Sequence, residues 1–381
     1  MRFLFDCHTF DTKPQGTTTL VRGLLNELPT AAEAAGLGGD LEIYCASADR
    51  HTMEHALTIP FHHIPIRTGF INRNLVELPR AAKRINADLV VSQYVRPIWV
   101  PKASLSFIHD LLFLDFPTHF SWTYRVARTA LFGLSARTST RVMTISKYSK
   151  QRIVDTYNLD PDKISIMPCA CPRTEVIAEE PAGAGDLSIN LLYIARLEPR
   201  KRQEWCLRLL ADLVQSGMNL SLTLVGTGVG PYAEGIKAQI AALPVGLRKR
   251  VRHAESISDE ELNRIIAKAD LFIYPSLGEG FGIPVLEAST AGLPCVVADG
   301  TSLAELTPYF AGSSFASGDY SGFLAATRNV SENLGVFKAR ALALRETIFE
   351  VFNWRKSADL FLEVALGAIR ESESDDHHSK S

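Results

Sequence analysis

The sequence predicts an α/β protein made of two doubly wound, Rossmann-like domains. Three observations carry this. Short apolar runs alternate with helix-period segments along most of the chain, the series is interrupted once near the middle, and 381 residues are ample for two cores. Alternation of this kind means βαβ units, with parallel sheets covered on both faces.

In the first half the strand-like runs are 2–5, 42–45, 89–92, 106–108, 141–145 and 164–167. In the second they are 191–195, 221–225, 271–274 and 295–298. Helical patterns fall between them at 20–28, 147–157, 203–216 and 259–268. The stretch 172–186 holds two prolines, two glycines and four acidic residues with little periodicity, and reads as a linker between domains at 1–171 and 187–351. Trp354 leads into a helix-like segment at 357–369, and the polar, charged stretch 371–381 is expected to be disordered, its two histidines making no metal site.

Composition narrows the function. A net charge of −2 provides no global basic field for nucleic acid. The six cysteines are scattered; Cys169 and Cys171 form a lone CxC that reads as buried thiols in a reducing compartment. The apolar run at the N-terminus is too short for a signal peptide, and no stretch approaches the ~20 apolar residues of a membrane span. A cytoplasmic protein, at most resting on the inner membrane face, is the expectation.

The most informative segment is Gly278-Glu279-Gly280-Phe281-Gly282-Ile283-Pro284-Val285-Leu286-Glu287-Ala288. It follows the apolar run 271–274. Pro284 suits a first helical position, and Gly292 with Pro294 marks the stop. No Ser, Thr, Asp or Asn precedes the helix as a cap, so its free N–H groups and positive dipole end suit an anion. Just past the run 191–195 stand Arg196 and Lys201, placed to neutralise a diphosphate where ligands meet parallel strands. The alternative for a run such as Arg200-Lys201-Arg202 is a solvated basic turn. Glu279 and Glu287 would be repelled by phosphate and are expected on its flanks, holding hydroxyls.

Together these residues resemble the retaining glycosyltransferases of family 4, which have the GT-B fold, with the active site in the cleft between two Rossmann-like domains. Glu279 and Glu287 match the paired-glutamate motif, and Arg196 and Lys201 match the basic diphosphate pair, with Ala195 where a glycine is usual. The segments 146–150, 258–262 and 302–306 fall in the family's order, and Trp354 introduces a helix, 352–370, that in this fold returns to the first domain. The resemblance implies that Glu287 binds the ribose and Glu279 the donor-sugar hydroxyls. Phe281, Gly282, Ile283 and Leu286 line the nucleotide sugar, and His109 lies near the donor anomeric carbon. Gly16 faces the phosphates from the first domain, although its loop lacks the double glycine common in relatives. Gly226 and Gly228 lie near the nucleotide; their G-x-G-x-G spacing does not fit a dinucleotide fingerprint. No metal is implied.

On the acceptor side, residues 116–154 contain no Asp or Glu but hold Arg125, Arg128, Arg137, Arg141, Lys147, Lys150 and Arg152 with aromatics that include Phe116, Phe120, Trp122, Tyr124 and Phe132. Either a packed surface helix or a face for anionic lipid fits. The expected activity is retaining hexosyl transfer, mannose-like in donor, to a saccharide or lipid-linked saccharide in surface polysaccharide or lipopolysaccharide assembly. The alternatives are a nucleotide-sugar epimerase on the same fold and a non-catalytic nucleotide-sugar-binding protein.

Overall fold

The structure, a computed structural model, describes residues 1–11, 16–67, 69–171 and 188–378, with side chains as far as Ser374. The expected linker at 172–186 lies outside them. The chain forms two compact units, one of Met1–Ala170 with Phe352 onward and one of Cys171–Val351.

The first unit holds a seven-stranded parallel sheet: β1 Arg2–Asp6, β2 Glu42–Ser47, β3 His62–Pro65, β4 Leu89–Gln93, β5 Ala103–Phe107, β6 Arg141–Thr144 and β7 Ile164–Ile166. Its order, β3-β2-β1-β4-β5-β6-β7, reverses between β1 and β4. The second unit holds six: β8 Ile189–Ile194, β9 Leu220–Val225, β10 Val251–Ala254, β11 Leu271–Tyr274, β12 Cys295–Ala298 and β13 Gly312–Phe315. Its order, β10-β9-β8-β11-β12-β13, reverses between β8 and β11. Such reversals open a crevice at the carboxyl ends of the two central strands, where ligands of doubly wound sheets bind. The fold is that of two Rossmann-like domains of the GT-B kind.

β3, β10 and β13 are additional to the strands legible in the sequence. All three are sheet edges. Edge strands are short and half polar here (HHIP, VRHA and GSSF), so they carry no continuous apolar run. β5 begins at Ala103, not 106, because Ser104 and Ser106 mask it. Both are buried, and both are satisfied: Ser106 Oγ lies 3.0 Å from Ser92 Oγ and 2.7 Å from Ser139 Oγ, and Ser104 Oγ accepts from Arg96 Nε.

The last helix, Trp354–His378, packs on the first unit. Phe361 is fully buried, with its ring against those of Phe3, Phe5 and Phe107. Gly23 makes room for Trp354: a Cβ there would lie 2.2 Å from the indole. The helix continues beyond 370 to His378, correcting the expectation of a disordered tail from 371. Glu371 is held there by an ion pair with Arg141, a long-range tether that composition does not reveal.

Phe361→Ala should cost about 3–5 kcal/mol, the usual loss for truncating a buried aromatic. Urea unfolding measures it, and a loss below 1 kcal/mol would show that this helix is not part of the first core.

Candidate active site

In the second unit the site grows from the carboxyl ends of β8 and β11, the two strands flanking the reversal. After β8 the chain passes through Arg196 into a 3-10 turn, Pro199–Lys201, which Arg202 ends in the left-handed region at φ 56°. After β11 it runs through Ser276 and Glu279 to Gly282, then into the helix Ile283–Thr290. These two loops are bound together. The Leu277 N–H donates to the Arg200 carbonyl at 2.8 Å, and Arg200 Nη1 donates to the Gly278 carbonyl at 2.7 Å.

At their junction lies the Glu279 carboxylate, which is buried. Its Oε1 accepts from Lys201 Nζ at 2.5 Å, Ser276 Oγ at 2.7 Å and the Tyr274 hydroxyl at 3.0 Å; its Oε2 accepts from Arg200 Nη1 at 3.2 Å. Burial alone would raise its pKa, but the charges of Lys201 and Arg200 overcome that and hold it at about 2. The loop is fastened from its other side as well. Thr301 Oγ1 accepts from the Glu279 N–H at 2.8 Å, and Ser302 Oγ donates to the carbonyls of Glu279 and Phe281 at 2.8 and 3.1 Å.

The basic residues therefore divide differently from the expectation. Arg196 is the exposed cation, its side chain 65% accessible and 3.6 Å from Glu198. Lys201, expected beside it on a diphosphate, is buried, with its ammonium on Glu279 and Tyr274. Arg200 is mostly buried and spans Glu198, Gly278 and Glu279. A basic run in a turn suggests solvent; here the 3-10 turn presents both of its cations, Arg200 and Lys201, to a buried acid.

The helix Ile283–Thr290 starts at Gly282, whose φ of 112° excludes most side chains, and it has no side-chain cap. Phe281 is buried, and the Leu286 side chain, 1% exposed, belongs to the core. Glu287, half-buried on this helix, has its carboxyl pushed up to about 7 by burial and then by the charge of Asp259. Gly226 and Gly228 have a packing reason to be glycine. A Cβ on Gly226, at φ 146°, would lie 1.9 Å from the Ala195 carbonyl oxygen, and one on Gly228 would meet Leu197 at 2.5 Å. They let the loop after β9 lie on the loop after β8, where the Leu197 N–H donates to the Thr227 carbonyl.

In the first unit His109 follows β5. It is buried, and its Nε2 lies 2.8 Å from Gln93 Oε1 at the end of β4. Burial lowers its pKa to about 4, so the imidazole is neutral at pH 7. Gly16 is exposed and begins the helix Gly16–Ala34; residues 12–15 before it lie outside the described residues.

Two family models match the chain: "Glycosyltransferase Family 4" over residues 19–173 and "Glycosyl transferases group 1" over 182–333. The chain is a family 4, group 1 glycosyltransferase. An O-antigen chain mannosyltransferase B of Escherichia coli is 29% identical over 174 residues, 43% of this chain and 45% of the relative. An O-antigen chain mannosyltransferase of Salmonella typhimurium is 26% identical over 192 residues, 50% of this chain and 51% of the relative. The chain thus spans about half the length of the curated relatives it matches. Among solved structures, a sucrose-phosphate synthase from Thermosynechococcus elongatus superposes with a TM-score of 0.75 at 16% identity, covering 97% of this chain and all of that one. HepE of Anabaena, in complex with UDP and glucose, superposes at 0.72 and 16% identity over 96% of this chain and 99% of that one. These likenesses show the fold.

Several residues at the carboxyl ends of β1 and β4 belong to no motif. Asp6, at the end of β1, is fully buried; its Oδ1 lies 3.0 Å from His8 Nδ1 and its Oδ2 3.5 Å from Arg73 Nε. Tyr94 follows β4 with φ 64°, an outlier for a bulky residue, and its ring meets His109 edge-on at 4.9 Å. The basic segment 116–154 is several elements, not one face. Arg141 pairs with Glu371, Arg152 with Asp115 at 2.7 Å, and Arg137 Nη2 donates to the Tyr157 carbonyl. Much of its charge is spent inside the protein.

Gly226→Ala should cost about 1–3 kcal/mol through overpacking and backbone strain. Gly246→Ala, with open space around its Cβ position, is the control in the same melting experiment. The raised pKa of Glu287 has a definite sign: the protonated form is favoured in the fold, so its contribution is present below the ordinary 4.5 and is lost as pH rises through about 7. Glu287→Gln should therefore raise the melting temperature at pH 8 and leave it nearly unchanged at pH 4; equal shifts at both would refute the assignment.

Proposed function

We propose that this protein transfers a hexose, with retention, from a nucleotide diphosphate sugar to a saccharide or lipid-linked saccharide in surface polysaccharide or lipopolysaccharide assembly. The observation that carries the reading is the crevice between β8 and β11. An uncapped helix start, an exposed arginine and two glutamates held at its flanks converge on one sheet reversal. Family membership supports the same reading, as does the HepE neighbour with UDP and glucose bound. The two O-antigen mannosyltransferase relatives favour a mannose-like donor.

In this reading the diphosphate lies against the helix amides at Gly282 and Ile283, with Arg196 supplying positive charge and Lys201 fixing the loop through Glu279. Glu287 accepts the ribose hydroxyls, and the loop carrying Glu279 shapes the sugar pocket. His109 serves as a neutral partner of the donor sugar. The bond from the anomeric carbon to the diphosphate oxygen breaks as the acceptor oxygen bonds to the same face. The acceptor's proton passes to the departing phosphate oxygen. Positioning and charge stabilisation then account for the rate, with no metal required.

A panel of UDP-, GDP- and ADP-hexoses, followed by release of the nucleoside diphosphate, tests the proposal. One donor should be turned over, Arg196→Ala should lower the rate by about 10²–10³-fold, and EDTA should leave it unchanged. Binding of a nucleotide sugar without turnover would favour the non-catalytic alternative, and exchange to a second nucleotide sugar would favour the epimerase. Loss of turnover in EDTA, restored by magnesium, would overturn the metal-free reading.

A further inference from the structure

The first unit carries an apolar groove that sugar chemistry does not use. It has a volume of about 440 Å³ and lies between the helical segment 70–75, the loop 95–98 and the last turns of the helix Trp122–Thr138. That size is in the range of small-molecule sites. Ile71, Leu75, Ile98 and Leu134 line it and are all exposed, Ile71 by 71% and Ile98 by 67%. Clustered exposed aliphatics of this kind mark an interaction site, unlike scattered ones.

The polar groups of the lining are already occupied. Ser135 Oγ accepts from the Arg96 N–H at 2.8 Å and donates to Ser106 Oγ at 3.2 Å. Thr138 Oγ1 donates to the Leu134 carbonyl, Asn74 Nδ2 to the Phe70 carbonyl and Arg96 Nε to Ser104 Oγ. Asn74 Oδ1 is the exception, a buried acceptor without a partner. A sugar hydroxyl would find almost nothing to bind here, whereas a hydrocarbon chain loses nothing by entering.

Charge specifies the other end of the occupant. Arg128 lies one turn before Leu131 on the same helix face, its guanidinium 5.1 Å from the Tyr124 ring centre and 5.6 Å from that of Phe132. Residues 116–154 contain no acidic side chain. Trp99, next in sequence to the lining residue Ile98, is exposed, as aromatic residues are where an apolar surface meets water.

We propose that this groove holds the hydrocarbon chain of a single anionic lipid, with the headgroup phosphate at Arg128. This rests on the proposed transfer to a lipid-linked acceptor, and names the part of the protein that would hold the lipid. The test uses the full chain with lauroyl-lysophosphatidylglycerol, and its choline counterpart, both below their micellar concentrations, followed by calorimetry and tryptophan fluorescence. The anionic lipid should bind saturably, one per protein, and about fivefold tighter than the neutral one, as one surface charge contributes. Leu134→Asp and Ile98→Asp, both at exposed positions, should each abolish binding, and Arg128→Gln should remove the headgroup preference alone. Absence of saturable binding, or binding indifferent to both Asp variants, would overturn the proposal. So would binding to phosphatidylglycerol vesicles without binding to monomers, which would make this face a bilayer contact. A dimer in sedimentation that Leu134→Asp dissociates would assign the groove to a second copy instead. Donor hydrolysis, measured on the same preparations, separates the two readings. Intact lipid binding without turnover of any nucleotide sugar would sink the transfer reading and leave the groove standing; turnover without lipid binding would do the reverse.

Discussion

A carboxylate removed from water must be neutralised or it will not stay charged, and this constraint organises the second unit. Glu279 is buried at the carboxyl end of β11, and its charge survives because the turn after β8 delivers Lys201 and Arg200 to it. The compensation joins two loops that are 78 residues apart in sequence. Tyr193 and Tyr274, stacked at 5.5 Å, floor the arrangement: the Tyr193 hydroxyl donates to the Lys201 carbonyl and that of Tyr274 to Glu279. With Lys201 and Arg200 turned inward, Arg196 is the cation of this loop that faces solvent. The uncapped start of the helix Ile283–Thr290 is held in place by the same fastening, since Gly282 follows Glu279 by three residues. The arrangement of these two loops thus depends on a buried ion pair, a device more useful for specifying geometry than for adding stability.

The first unit solves a similar problem with different chemistry. At the carboxyl ends of β1, β4 and β5 it places Asp6, Gln93 and His109, all buried. Asp6 keeps its charge through His8 and Arg73, its pKa lowered despite full burial. His109 takes the opposite course and stays neutral. The last helix closes the core beneath them, with Phe361 against rings from β1 and β5.

How much of this was legible in the sequence follows from what each signal measures. Continuous apolar runs report strands buried on both faces, so β11 and β12 matched residue for residue while the edges β3, β10 and β13 did not register. The uncapped helix was legible because proline and glycine act locally. Partnerships were not. Nothing near Arg200 in sequence reveals an acid at 279, and nothing near Asp6 reveals Arg73. The glycines at 226 and 228, read from the sequence as lying near a nucleotide, also meet a packing requirement of a neighbouring loop that the sequence does not reveal.

The central claim is that Glu279 and Lys201 act as one unit in fixing the crevice, and a double-mutant cycle tests it most directly. Urea unfolding at pH 7 of Glu279→Gln, Lys201→Met and the combined variant gives the coupling. Glu279→Gln should cost about 3–5 kcal/mol by leaving the buried Lys201 without its acid, and Lys201→Met less, because Arg200 still faces Glu279. The combined variant should cost well under the sum, because it strands neither partner. Additive losses, or single changes without effect, would contradict the account.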